Sequence, residues 1–234
     1  MAKHGKRYEA AAKLVDPRKH YRLGDAVELL KKLPKTKFDE TVELAFRLGV
    51  DPKQSDQMVR GTVALPHGSG KKVRVAVFAK GAAAQAAKDA GAEFVGFDDL
   101  LKQCQGGWTD FDVAIATPEA MNEVRKLGKV LGPKGLMPNP KTGTVTDDTA
   151  KAVNEVKAGR VEFKMDKAGN LHVGFGKLSF ESKAIEENAK AIIGAVFHAR
   201  PPAAKGQFVE TCTLASTMSP GLRIDIHEFA NIAS

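Results

Sequence analysis

The sequence predicts an α+β discontinuous domain, an antiparallel sheet with helices, interrupted by an inserted α/β Rossmann-like parallel-sheet domain. Segments toward both ends of the chain alternate between apolar and polar residues, which is typical of strands with one buried face. Segments in the middle are short apolar runs separated by helical patterns, which is typical of a parallel sheet covered by helices. We therefore expect the discontinuous domain over residues 1–66 and 160–234 and the inserted domain over 67–159.

The first part of the chain is predicted to form a basic arm, one helix and two strands. Asp25 and Glu28 fit a capping arrangement at the start of the helix, and Pro34 ends it. In the first strand, one side is apolar and the other carries Thr41 and Glu43. The expected elements are a helix over 24–33 and strands over 38–48 and 59–65.

The middle of the chain is predicted to alternate strands and helices. Thr117-Pro118 resembles a helix start, with a cap and a proline at the first helical position. Glycine-rich segments at 66–71 and 159–160 would permit hinge motion between the domains. The expected strands are 73–79, 93–96 and 111–116, and the expected helices are 81–90, 98–103, 117–127 and 147–158.

The last part of the chain returns to alternating strands. Residues 161–165 and 171–175 are predicted to pair as a hairpin across the turn 167–170. A helix is expected over 182–200, ended by Pro201-Pro202, followed by strands over 207–215 and 222–226. The last two strands flank the turn 217–221.

The segment 128–144, GKVLGPKGLMPNPKTGT, is predicted to be a constrained loop, because prolines fix φ and glycines permit positive φ. It contains three lysines and no acidic residue, which suits a surface that meets phosphates. A basic loop that only connects two domains is the alternative, because a motif without structural context is a hypothesis.

Positive charge is concentrated in two segments. The net charge is +8, while residues 1–22 and 125–141 each carry +5, so the remainder is acidic. Concentrated cationic charge favours a polyanion partner, whereas a generally basic protein would spread its charge more evenly.

The motifs argue against an enzyme. The turn after the 73–79 strand lacks the three glycines that let a pyrophosphate approach the backbone. Gly68–Lys71 has the wrong glycine spacing for a phosphate loop, and Lys72 follows it where a hydroxyl would bind magnesium. The histidines are scattered, and Cys104 and Cys212 match no metal or redox spacing. We expect no catalytic residue, no metal and no cofactor.

Membrane and secretory classes are also disfavoured. The chain contains no uninterrupted apolar run of about 18 residues or more. Its first residues lack the apolar core and cleavage site of a secretory signal. We expect a cytoplasmic protein without a membrane partner, with two buried, reduced thiols.

Two clusters are candidates for RNA contact through ribose hydroxyls and backbone shape. The first is the strand start with Lys37, Phe38, Glu40 and Thr41, in which Phe38 could equally be a core residue. The second is the turn Thr217-Met218-Ser219 with Thr211 upstream, which could equally be an ordinary connection. Lys167 and His172 are further candidates, and a solvated turn and a satisfied strand histidine are the simpler interpretation of these two.

The segment LGPKGLMPNPKTGT resembles the signature of the bacterial large-subunit ribosomal protein L-one family. Three other segments agree with that family in the same order: KFDETVELAFRLGVD, RGTVALPHGSGK and TLASTMSPGLRID. The resemblance covers essentially the whole chain. It implies the same hinged two-domain fold, with the discontinuous domain as the main RNA-binding body and its two clusters forming one patch for large-subunit ribosomal RNA.

The resemblance also implies a role. It implies a protein of the ribosome, monomeric when free, that forms the mobile stalk and helps release deacylated tRNA from the exit site. It further implies that the free protein binds its own mRNA leader and represses translation. Lys134 and Lys141 are weaker RNA candidates in the inserted domain. Ser219 and Gly221 depart from the family, which more often has glycine and serine there.

Two other functions remain possible from the sequence. One is a free-standing RNA-binding translational regulator that uses the same patch without joining the ribosome. The other is a small-molecule binder that uses the α/β domain.

Overall fold

The computed structural model describes residues 4–232. The α-helices, in chain order, are α1 (Lys6–Ala12), α2 (Leu23–Lys32), α3 (Gly81–Asp89), α4 (Asp98–Gln105), α5 (Met121–Val124), α6 (Gly128–Leu131), α7 (Thr149–Lys157) and α8 (Ser182–His198). The strands are β1 (Thr41–Leu48), β2 (Arg60–Ala64), β3 (Val75–Phe78), β4 (Phe94–Gly96), β5 (Val113–Ala116), β6 (Arg160–Lys164), β7 (Asn170–Lys177), β8 (Val209–Ser216) and β9 (Leu222–Ile224). Short 3-10 helices cover Ser55–Gln57, Arg125–Leu127, Pro140–Thr142 and Ile226–Ile232.

The chain divides into two compact units: unit 1 runs up to Gly70 and resumes at Val161, and unit 2 is Lys71–Arg160. Unit 1 contains an antiparallel sheet in the order β7-β1-β8-β9 and a two-stranded sheet of β2 and β6. Helices α2 and α8 pack on the four-stranded sheet. Along β1, residues at even positions are buried and the odd ones at 41, 43 and 45 are half-exposed, so one face of the sheet lies in the core and the other stays open.

Unit 2 contains a parallel sheet in the order β4-β3-β5, covered on both faces. Val75 and Val77 pack with residues of α3 and α7, whereas Ala76 and Phe78 pack with residues of α4, α5 and α6. Burial on both faces explains why β3 is apolar at each position. The predicted fold class, an antiparallel α+β part and a parallel α/β part, is confirmed.

One predicted strand pairing is wrong, one predicted helix has different bounds, and one helix is not predicted. Strands β6 and β7 do not form a hairpin: β6 pairs with β2, and β7 pairs with β1. The Thr117 hydroxyl accepts a hydrogen bond from the N–H of Ala120 at 3.4 Å, as the predicted cap requires, but α5 itself covers only Met121–Val124. It continues through a 3-10 turn into α6, which occupies the start of the expected loop. The basic arm contains α1, which no prediction included. Alternation identifies a strand but not its partner, and short helices carry too few repeats to show a period.

The longest described helix, α8, has 17 residues. No helix in the described range combines the length and apolarity that crossing a bilayer requires.

Candidate nucleic-acid interface

The start of β1 and the turn after β8 are joined by reciprocal hydrogen bonds. The N–H of Thr217 donates to the carbonyl of Thr41 at 3.0 Å. The N–H of Thr41 donates in return to the Thr217 hydroxyl oxygen, also at 3.0 Å. The Lys177 ammonium donates to the Thr41 hydroxyl at 2.9 Å. Both threonine hydroxyls therefore accept protein hydrogen bonds, which fixes the spacing of the two segments.

Glu40 lies beneath this turn with 1% of its surface exposed. Its carboxylate accepts hydrogen bonds from the Ser216 hydroxyl at 2.6 Å and from the N–H groups of Met218 and Thr36 at 3.1 Å each. Burial raises the pKa of this carboxyl, but the hydrogen bonds outweigh burial and leave the pKa below its ordinary value. Glu40 is thus an ionised group that positions the turn and does not face solvent.

Arg7 of α1 links the same two segments. Its guanidinium donates to the carbonyl of Pro34 at 3.0 Å and to the carbonyl of Met218 at 2.8 Å. The backbone of Met218 is therefore held from both sides, its N–H by Glu40 and its carbonyl by Arg7. The planar fork of arginine, with five donors, can satisfy two carbonyls at once, which a lysine does less well.

Two large apolar side chains are exposed above this framework. Phe38 is 56% exposed and Met218 is 50% exposed, and Lys37 beside them is exposed as well. The Thr36 hydroxyl donates to the carbonyl of Phe38 at 2.9 Å, which constrains the backbone before β1. Exposed apolar side chains on a backbone held by these hydrogen bonds make this a candidate contact surface. We call the following set the turn patch: Lys37, Phe38, Thr41, Thr217, Met218 and Ser219.

Ser219 and Gly221 have clear structural roles in this chain. The Ser219 hydroxyl accepts a hydrogen bond from the N–H of Ser216 at 2.8 Å and donates to the carbonyl of Pro220 at 3.0 Å. A β-carbon at Gly221 would lie 2.7 Å from the methyl carbon of Thr213. The serine thus braces the turn that it belongs to, and glycine avoids a clash at the start of β9.

His172 and Thr211 lie on the open face of the four-stranded sheet. His172 is the register partner of Ala45, and Thr211 is the partner of Arg47; both side chains are exposed. Thr41 and Arg47 are six residues apart on β1, about 20 Å at the rise of an extended strand. Thr211 therefore lies at the end of the sheet opposite to the turn patch, and His172 lies between them.

Lys167 belongs to the connection between β6 and β7, at that same opposite end. The Asp166 carboxylate accepts hydrogen bonds from the N–H groups of Asn170 and Ala168, both at 2.8 Å, and these bonds lower its pKa. The Arg47 guanidinium contacts the carbonyl of Ala168. Lys167 itself is exposed. The structure thus does not bring Lys167 to the turn patch.

The basic loop of unit 2, residues 128–144, begins with α6 and contains Lys134 and Lys141. The loop is anchored by Leu131, which is fully buried, and by the N–H of Asn139, which donates to the Thr144 hydroxyl at 2.8 Å. Lys134 is exposed, and its ammonium contacts the hydroxyl of Thr109. The side chain of Lys141 lies outside the described part of the structure. Lysines on an anchored loop present charge at fixed positions.

Two residues that hold the turn patch, Lys177 and Arg7, are not predicted from the sequence. Lys177 reaches Thr41 because β7 pairs with β1 in a register that opposes these two residues, and the sequence alone does not give that pairing. From the sequence, Arg7 is only one of the charged residues of the basic arm, because its hydrogen-bond partners lie far away in the chain.

The described residues offer no site for a metal ion: residues 4–232 contain no group of three or more histidine, cysteine, aspartate or glutamate side chains suited to one. Cys104 and Cys212 are free and buried. Burial raises the pKa of Cys104, and it raises that of Cys212 to about 12. Because the thiolate is the reactive form, both thiols are expected to be inert at neutral pH.

Comparison with models of known protein families gives a match. The model of the Ribosomal protein L1p/L10e family matches residues 30–220, which is well over half of the chain. The matched range contains the turn patch and the whole of unit 2, whereas α1 lies outside it.

Proposed function

The chain belongs to the Ribosomal protein L1p/L10e family, and we propose that the turn patch is its surface for large-subunit ribosomal RNA. Membership makes the chain a structural, RNA-binding protein of the large ribosomal subunit and not an enzyme. The observation that carries the proposal is the exposure of Phe38 and Met218 on a backbone fixed by Glu40 and Arg7.

The chemistry of the patch suits folded RNA. Bases that leave a helix stack on aromatic and flat side chains, and ribose hydroxyls distinguish RNA from DNA. Phe38 and Met218 offer apolar contact, and Lys37 offers charge to a phosphate. The hydroxyl oxygens of Thr41 and Thr217 each accept one protein donor, and a hydroxyl oxygen has a second lone pair for a ribose hydroxyl.

The finer roles are part of the same proposal. One surface that recognises one RNA shape binds any RNA with that shape, so an mRNA leader that mimics the ribosomal site would compete for the turn patch and repress translation. In unit 2, exposed Lys134 on the basic loop supplies charge for exit-site tRNA. We propose that the free protein is monomeric and acts in the cytoplasm on the ribosome.

Filter binding with three RNAs tests the proposal: large-subunit ribosomal RNA, the leader of the protein's own messenger, and tRNA. Met218→Ala should weaken binding of the first two RNAs in parallel, by about 3- to 10-fold, since burying the exposed half of a methionine side chain is worth about 1 kcal/mol. The matched control is Met58→Ala, because Met58 is 43% exposed elsewhere. It should bind within about twofold of the unaltered protein.

Two outcomes would contradict parts of the proposal. If Met218→Ala and Phe38→Ala both bind RNA as tightly as the unaltered protein, the turn patch is excluded as the RNA surface. Failure of the protein to sediment with large subunits, together with retained binding to the leader, would favour a free-standing regulator.

A further inference from the structure

A cavity of about 450 Å³ lies between α1 and the turn after β8. Residues 4, 5, 7 and 8 line one side, and Thr217, Met218 and Ser219 line the other. Three of the seven lining residues belong to the turn patch. The cavity is therefore continuous with the surface proposed to bind RNA.

The α1 side of the cavity has an aromatic wall. The rings of His4 and Tyr8 stack with their centroids 4.4 Å apart and their planes inclined by 28°. His4 is exposed and Tyr8 is half-buried, so the stack is open to solvent at one end. Met218, on the other side of the cavity, is half-exposed and has a flexible, polarizable side chain that adapts to flat partners.

The remaining groups favour a base over a purely apolar occupant. The Arg7 guanidinium uses two of its N–H groups on the carbonyls of Pro34 and Met218, and arginine has five. A cationic donor at the edge of an aromatic slot suits a nucleobase, which has a flat face for stacking and carbonyl or ring-nitrogen acceptors at its edge.

We propose that this cavity receives one unstacked base of the RNA bound by the turn patch, stacked on His4 and Tyr8 and bordered by Met218. This contact presupposes the proposed RNA-binding function and extends its surface to α1. The family match begins at residue 30, so family membership by itself does not supply the contact.

Equilibrium binding of large-subunit ribosomal RNA over a series of salt concentrations provides the first test. Tyr8→Leu should weaken binding by about 5- to 100-fold, since it removes a stacking face. The salt dependence should stay unchanged, because no charge is lost. Tyr8→Phe should bind within about twofold of the unaltered protein. The control Ala12→Ser changes an exposed position of α1 that does not line the cavity, and it should have no effect.

Chemical probing of the base edges of the same RNA, at saturating protein, provides the second test. The unaltered protein and Tyr8→Phe should shield one unpaired base that Tyr8→Leu leaves reactive. His4→Ala, at an exposed position, should weaken binding by about 2- to 10-fold. The His4→Ala variant still tests the base site if thermal unfolding shows that Tyr8→Leu is misfolded.

The outcomes separate this contact from the general function. Unchanged affinity and unchanged probing in both Tyr8→Leu and His4→Ala would overturn the base site, while loss of binding in Met218→Ala would still support the turn patch. A reduced salt dependence in Tyr8→Leu would also overturn it, since it would indicate a phosphate contact. If the unaltered protein fails to bind the RNA, the proposed function itself fails.

Discussion

The turn patch of unit 1 and the basic loop of unit 2 bury opposite kinds of groups. A charged group, Glu40, is buried beneath the turn patch, whereas the large apolar side chains of Phe38 and Met218 are exposed on it. In the basic loop, Leu131 is buried and Met137 packs against the core of unit 2, while Lys134 is exposed.

This difference separates two ways of binding a nucleic acid. Stacking and shape-dependent contacts act at short range and depend on how rigidly the backbone is held. Exposed lysines act through counterion release, which is insensitive to sequence and weakens with salt. We therefore expect changes in the hydrogen bonds that hold the turn patch to alter affinity and stability together, and changes of exposed lysines to alter mainly the salt dependence.

Glu40→Ala should have the largest effect. The Ser216 hydroxyl and two backbone N–H groups would lose their acceptor, so the free energy of unfolding should fall by about 2–4 kcal/mol. Affinity for ribosomal RNA should fall as well, since the turn loses its support. Urea unfolding and filter binding measure the two effects. Glu43→Ala, at a half-exposed position of β1, is the control and should change stability by less than about 0.5 kcal/mol.

The same carboxyl predicts a pH dependence. Because its folded-state pKa is lowered, Glu40 stabilises the folded state above the unfolded-state pKa of about 4.3, and this contribution is lost as the pH falls through the folded-state pKa. Glu40→Gln should therefore lose less stability than the unaltered protein between about pH 5 and pH 3. Parallel losses in both proteins would show that other carboxyls dominate.

Thr217→Val should have the next largest effect. It removes the acceptor for the N–H of Thr41, so both stability and RNA affinity should fall by about 1–3 kcal/mol. The salt dependence of binding should not change. Thr217→Ser retains the hydroxyl and should largely restore both quantities. If Thr217→Val and Thr217→Ser have the same stability and RNA affinity, the hydrogen bond between the Thr217 hydroxyl and Thr41 contributes little to either.

Ser219→Gly, which introduces the residue more usual in the family, should destabilise this chain by about 0.5–1.5 kcal/mol. The N–H of Ser216 would lose the Ser219 hydroxyl as its acceptor, and glycine would gain backbone freedom in the unfolded state. Thermal or urea unfolding measures the change. An increase in stability would show that the serine strains the turn.

Lys134→Gln should have the smallest effect at low salt. Loss of one phosphate contact should reduce the slope of log affinity against log salt by about 0.7–0.9, equally for ribosomal RNA and tRNA, with unchanged stability. Lys37→Gln should reduce the slope similarly but only for RNAs that bind the turn patch. Equal effects of both changes on every RNA would remove the distinction between the two surfaces.

The sequence predicts the fold class well because the spacing of apolar residues repeats along each whole segment and distinguishes strands from helices. The sequence predicts strand pairing least well, since alternation in β6 and β7 does not show which strand each one pairs with. Glu40 and Phe38 both precede β1 and share the even parity of buried Val42 and Leu44, yet Glu40 is buried and Phe38 is exposed. Parity therefore does not decide burial outside the strand, and Glu40 lies where its carboxylate accepts hydrogen bonds from distant segments.

The site itself was predicted only in part. Thr41 and Thr217 were named from the sequence, and the structure joins them directly. Arg7 and Lys177 could not be predicted, because their roles depend on contacts with residues that are distant in the sequence.

The hydrogen bond from Arg7 to the carbonyl of Met218 spans 211 positions of the chain. Because a polypeptide is made from its N-terminal side onward, Arg7 is made long before Met218, and this contact forms only after β8 and its turn have been made. Under the proposed function, a nascent chain that stops before this turn lacks Thr217 and Met218 of the turn patch.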